Sequence, residues 1–258
     1  MPHQNSPTLR LPFEKFFAVS EKHRWRMEKD VDWDGIQRDL VTEQELVTLR
    51  RAALVEGFTP GYAADLVPVF VDEPEMSAFF SIQHYEEFKH YHALRRYLKL
   101  CGVEIEDQEV CEPRKSRTEY SDPLIVILKF GVSEIFTAIF YREISRQTKE
   151  PVLKQLAHFI SEDEYRHLSW YTSYLEWYVK KHKVTAEQVT KALGHYQHQG
   201  LDAISDWIDH WNYSGQTYTG REPYVYLAKL LRRTVGKGVD LKSLARRTSN
   251  QAEASTFQ

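Results

Sequence analysis

The chain reads as an all-α protein built around a four-helix bundle, and three observations predict it. No stretch of any length alternates apolar and polar residues as a half-buried strand does. Four long segments each begin on a helix-opening signal: Thr42-x-x-Glu45, Asp72 ahead of Pro74, Ser121-Asp122-Pro123, and Pro151. Aromatic residues make up 13% of the chain, with 15 Tyr and 6 Trp, which suits a densely filled helical interior.

The elements follow in order. Residues 1–12 are Pro-rich and expected to be extended. Residues 13–41 carry mixed aromatics and charges and end in Val31-Asp32-Trp33-Asp34-Gly35, a turn laid against the body by its Trp. These 41 residues are expected to form a leader packed on the bundle. The first long helix starts near Thr42 and runs through Leu46, Leu49, Ala53 and Glu56 until Thr59-Pro60-Gly61 kinks or breaks it. A helical pattern resumes to about Phe70. The second helix runs from Pro74 to about Leu100, where Gly102 ends it; residues 103–120 are a charged loop or short helix. The third begins at Pro123 and lasts to about Thr148. The fourth begins at Pro151 and ends in Lys180-Lys181-His182-Lys183, cations that suit a helix C-terminus. The bundle is thus expected over 42–183. Thr185-x-x-Gln188 caps a further helix, and shorter helices with a polar tail complete 184–258.

The bulk properties narrow the class. A length of 258 residues is ample for a sizeable core. The net charge of −3 favours neither nucleic acid nor a membrane surface. Two cysteines, Cys101 and Cys111, fit a reduced protein without a disulfide framework. The N-terminus shows no apolar signal region, and a bilayer-spanning segment is not expected, so the chain is read as cytoplasmic.

Glu134 is the residue that needs explaining. From Leu124 to Phe136 only Lys129, Gly131, Ser133 and Glu134 interrupt an apolar run, and Thr137 to Tyr141 continue it. That is a helix buried over most of its circumference. A carboxylate inside it costs on the order of several kcal/mol unless compensated. Its i±4 neighbours, Phe130 and Ala138, offer no charge. The compensation is either a cation from another helix or metal.

The spacing of the other candidates favours metal. The second helix contains Glu87-x-x-His90 and the fourth contains Glu164-x-x-His167. Residues three apart share a helical face and can hold one metal together. A bare Glu-x-x-His is a weak pattern, but here it repeats in context. Glu56 precedes Glu87 by 31 residues, and Glu134 precedes Glu164 by 30. The chain is two copies of one unit, a helix with Glu followed by a helix with Glu-x-x-His. Folded together, four Glu and two His converge, the signature of ferritin-like di-metal carboxylate bundles. Glu86 and Asp163 stand one residue before the two ligating Glu, placed to accept a hydrogen bond from a histidine of the neighbouring helix. Glu56 rests on its spacing alone, with Glu43 and Glu45 nearby. Thr137, one turn after Glu134, is either a core Thr bonding its own backbone or a hydroxyl beside the open side of the metals. Tyr97, Tyr141 and Tyr171 read as core or pocket lining, and Trp25 and Trp33 as packing, with an electron path as the alternative.

These motifs resemble the di-iron carboxylate oxidases and oxygenases over residues 43–180. Glu86-Glu87-x-x-His90, Glu134-x-x-Thr137 and Asp163-Glu164-x-x-His167 look most like the soluble acyl-carrier-protein desaturases, in which a threonine one turn after the third Glu lies at the oxygen site. Glu56 with Pro60 and Tyr62 is similar to that group's first-ligand region. Two positions depart from other branches. The radical tyrosine of ribonucleotide reductase subunits is Leu94 here, and the extra histidine of nitro-forming N-oxygenases is Ile160.

The resemblance implies an O2-dependent oxidoreductase with two iron ions, manganese in one site remaining open. It acts as a desaturase or monooxygenase on an aliphatic substrate. The rival readings are N-oxygenation of a small amine and ferritin-like iron handling. A dinucleotide fingerprint and a cysteine set for an iron–sulfur cluster are both missing from the sequence, so electrons are expected from a ferredoxin-type donor. An acyl or peptidyl carrier protein is the expected substrate carrier. Its docking patch would be Lys229, Arg232, Arg233, Lys237, Lys242, Arg246 and Arg247; the alternative is an ordinary solvated face. A homodimer is expected.

Overall fold

The structure is a computed structural model and describes residues 13–58, 66–111, 120–193 and 222–236. Among these the secondary structure is helical throughout, with no strand. The helices are α1 (Phe13–His23), α2 (Glu43–Glu56), α3 (Pro74–Leu100), α4 (Asp107–Cys111), α5 (Pro123–Gln147), α6 (Pro151–His182), α7 (Ala186–Leu193) and α8 (Glu222–Val235).

The starting signals act as their chemistry dictates. Thr42 and Glu45 form a reciprocal capping box at α2, with Glu45 Oε2 accepting from the Thr42 backbone N–H at 2.7 Å. Asp122 caps α5 by accepting from Leu124 N–H at 2.8 Å. Thr185 and Gln188 cap α7 in the same crossed way. Gly102 ends α3 with φ +89°, a conformation that favours glycine.

Four long helices form the bundle: α2 packs on α3, α5 packs along α6, and α3 meets α6. The three-residue link 148–150 folds α6 back on α5. Glu150 secures this corner although it is wholly buried. Its carboxylate accepts from Val152 and Leu153 N–H at the start of α6, from Gln37 N–H, and from the Tyr97 hydroxyl at 2.9 Å. One side chain thereby ties the N-terminal segment, α3 and α6 together.

Three features of the packing bear on the expectations. Residues 13–23, part of the segment expected as a leader packed on the bundle, form α1, whose Phe16 packs against Phe79 and Trp170. Pro123–Gln147 is long and apolar enough to cross a membrane by length and composition, contrary to the sequence expectation. Its most apolar window is 78% buried inside the protein, so its hydrophobicity is spent on the bundle interior. Helices α7 and α8 both pack on α5, and α8 also on α6. Residues 1–12, the Thr59-Pro60-Gly61 break with Tyr62, and the tail beyond 236 lie outside the described residues.

Candidate metal centre

The six predicted ligands converge. Glu56, Glu87, His90 and Glu164 form one buried group, and Glu87, Glu134, Glu164 and His167 a second. Within each group the donor atoms lie within 4.8 Å of one another. Glu87 and Glu164 belong to both. Glu56, expected on spacing alone, is 4% exposed, with Oε2 3.7 Å from His90 Nδ1. His167 Nδ1 faces Glu164 Oε2 at 3.2 Å and Glu134 Oε2 at 3.6 Å.

The donor set fits a pair of divalent cations. Four carboxylates match the charge of two such ions, and one imidazole falls to each. Three inward-facing atoms, Glu134 Oε2, Glu164 Oε1 and His90 Nδ1, are buried with no well-aligned hydrogen bond among the described residues, although His90 Nδ1 and Glu164 Oε1 face each other at 3.2 Å. Buried polar atoms are normally paired, so this cluster of orphans marks a place for a ligand. The protonation pattern agrees. Burial, then the Glu164, Glu56 and Glu134 carboxylates, push Glu87 well above the usual carboxylate range. Burial and Glu164 push Glu134 up in the same way. Burial opposes charge on His90 and His167, but hydrogen bonds to the surrounding carboxylates hold both imidazoles well above their ordinary value. Glu164, between them, is lowered: burial works against the shift, and hydrogen bonds from Glu134, His167 and His90 impose it.

Both histidines are held from behind, across helices. His90 Nε2 on α3 bonds Asp163 Oδ2 on α6 at 2.9 Å, and His167 Nε2 on α6 bonds Glu86 Oε2 on α3 at 2.8 Å. This fixes Nε2 as the donor and turns each Nδ1 toward the cluster. Cations sit on the same two carboxylates. Lys89 Nζ lies 2.9 Å from Asp163, and Arg166 bonds Glu86 at 3.2 Å as well as Asp163. Burial acts to raise Asp163, but His90, Lys89 and Arg166 hold it far below its usual range. Glu86 is lowered too: burial works against the shift, and His167 and Arg166 impose it.

Sequence reasoning missed several participants. Trp25 Nε1 donates to Asp163 Oδ2 at 2.8 Å, and Lys89 lies 4.4 Å from its ring centre. Tyr141 donates to Glu56 Oε1 at 2.5 Å. Gln83 Nε2 donates to Glu134 Oε1 at 2.6 Å, and Tyr171 donates to Gln83 Oε1 at 2.9 Å. A signal for Lys89 and Arg166 was present, because both motifs read acid, Glu, aromatic, base, His: Glu86-Glu87-Phe88-Lys89-His90 and Asp163-Glu164-Tyr165-Arg166-His167. Thr137 does not join these contacts. It is half-buried, and its hydroxyl donates to Ser133 C=O at 3.1 Å, the backbone bond held open as its alternative. Trp33 packs away from the site, its Nε1 on Met27 C=O and Arg96 over its ring. Leu94 and Ile160 are buried apolar residues.

No protein-family model matches the chain, and neither does any curated protein sequence. Solved structures do. A variant of an R2-like ligand-binding oxidase with aerobically reconstituted Mn/Fe cofactor aligns with TM-score 0.58 at 14% identity, over 90% of this chain and 98% of the other. A second Mn/Fe variant gives TM-score 0.55 at 14% identity, over 96% and 94%. A variant with aerobically reconstituted Fe/Fe cofactor gives 0.54 at 15%, over 98% of both chains. The fold is ferritin-like. Within it, the ferritin-like bundle of this chain presents a buried carboxylate and histidine cluster able to hold two metal ions. The narrower likeness to soluble desaturases is one of motifs.

Proposed function

We propose that the chain is an O2-dependent oxidase whose two metal ions, both iron or one manganese and one iron, are held by Glu56, Glu87, His90, Glu134, Glu164 and His167. The observation that carries this reading is the pair of overlapping donor sets sharing Glu87 and Glu164. The structural neighbours with Fe/Fe and Mn/Fe cofactors support the choice of metals. When bound, such metals supply the activation of dioxygen. The chain's own residues do the rest. Glu87 and Glu164 join the halves, Glu86 and Asp163 aim the imidazoles, and Leu94, Ile135 and Ile160, each at most 1% exposed, help keep water out.

The substrate we propose is aliphatic, presented by an acyl or peptidyl carrier protein, with a ferredoxin-type electron donor and a homodimeric assembly. A narrow apolar crevice between α5, α6 and α8, lined by Tyr171, Leu168, Leu175, Leu227 and Leu230, agrees with an apolar ligand in its lining, but its free space is only about 10 Å3 and an acyl chain would have to widen it. For the carrier, Lys229 and Arg232 are exposed on α8, whereas Arg233 is tied to Glu176. The other four cations of the expected patch lie outside the described residues. The experiment is anaerobic loading with ferrous iron, then exposure to oxygen with a reductant. Sustained oxygen consumption that Glu164→Ala abolishes is the expected result; metal uptake without oxygen consumption would turn the reading to iron handling.

A further inference from the structure

We infer that Gln83, oriented by Tyr171, is a positioning residue that presets the Glu134 and His167 half of the site for its metal. The inference rests on the di-metal reading above and extends it to a residue outside the six ligands.

Gln83 lies one turn before Glu87 on α3, hence on the same helical face, and is 1% exposed. Its Nε2 donates to Glu134 Oε1 at 2.6 Å and reaches Glu87 Oε1 at 3.4 Å. A carboxamide can sit either way round, and only its oxygen can accept a hydrogen bond. The Tyr171 hydroxyl, donating to Oε1 at 2.9 Å, therefore fixes Nε2 toward the carboxylates. Tyr171 is itself confined. A Cβ at Gly131 would stand 3.2 Å from Tyr171 Cβ, so α5 and α6 approach closely at this level. The consequence falls on Glu134. Oε1 is occupied by the amide, and Oε2, 3.6 Å from His167 Nδ1 and without a hydrogen bond among the described residues, is the oxygen left to ligate. On the Glu56 side, among the described residues, it is the phenol of Tyr141 that contacts the carboxylate. An amide donates to Glu134 but is too weak an acid to give up its proton, whereas a phenol can transfer one.

The test compares Gln83→Leu and Tyr171→Phe in two backgrounds, reading ferrous ions bound per chain by titration against a chelator. In Glu56→Ala, whose remaining metal sits in the Glu134 and His167 half, Gln83→Leu weakens that metal roughly 10–100-fold, the usual cost of losing a residue that orients a ligand. In Glu134→Ala, where Gln83 keeps only its long 3.4 Å contact to the shared Glu87, it weakens the remaining metal much less. Tyr171→Phe, which keeps the amide and frees its orientation, shifts the same half in the same direction by less. Thermal unfolding of each metal-free variant identifies chains that fail to fold, and Tyr171→Phe then carries the comparison. Unchanged affinity in the Glu56→Ala background would overturn the inference, as would equal weakening of both halves. A parent chain that binds no metal would instead refute the di-metal reading itself.

Discussion

The helix pair α2–α3 and the helix pair α5–α6 carry the same candidate ligands in the same order, yet different residues support them. Asp163, behind His90, receives Lys89, Arg166 and the Trp25 indole; Glu86, behind His167, receives only Arg166 among these. Glu56 meets a phenol, and Glu134 meets an amide backed by a phenol. The ligands repeat because spacing within a helix and between two helices sets them. The supports do not repeat, because each comes from whichever element happens to pack nearby. Two halves alike in ligands are therefore expected to differ in stability and in hold on their metals.

The sharpest way to break the comparison is to remove a shared ligand against a private one. Glu164→Ala should take bound metal from two ions per chain to none, because both donor sets include it. Glu56→Ala or Glu134→Ala should each leave about one, and equal losses in all three would show that the halves are not separate.

Next is the outer layer. Asp163→Asn leaves Lys89 buried beside a neutral partner, and breaking a buried ion pair costs about 3–5 kcal/mol. Glu86→Gln keeps one acceptor oxygen for its two donors, His167 Nε2 and Arg166, and Arg166 retains Asp163, so it should cost less, about 1–3 kcal/mol. Denaturant unfolding of the metal-free proteins compares them.

A smaller effect comes from His84, on the same helix. Burial, then the charge of His167, lower its pKa to about 4. The unfolded chain, near 6.5, binds the proton first, so stability is retained above about 6.5 and falls as pH drops toward 4. Unfolding followed across that window should show a shallower slope for His84→Gln. The smallest effect is expected of Thr137→Val. It should leave two metals bound and stability within about 1 kcal/mol, since the hydroxyl serves its own helix. Loss of a metal in that variant would restore the oxygen-side role suggested by the sequence.

Much of the site was legible because it depends on position along a helix. The 31- and 30-residue spacings, the i,i+3 motifs and the residue before each Glu are fixed by helical geometry, and the fold follows from four start signals. The supports were not legible. Tyr141 and Tyr171 sit in apolar surroundings that read as core, and their partners Glu56 and Gln83 lie 85 and 88 residues away. Gln83 looks like any polar residue on a long helix until α5 and α6 are laid against it. Helix α1 escaped for a related reason: only Phe16 and Ser20 of its eleven residues are buried, too thin a face to stand out.

The most direct test of the account is metal analysis of the full chain loaded anaerobically with ferrous ions and freed of excess. Two ions per chain, falling to about one in Glu134→Ala, is the predicted result. No bound metal in the parent chain would contradict it, leaving a helical bundle whose buried carboxylates are held by hydrogen bonds and ion pairs alone.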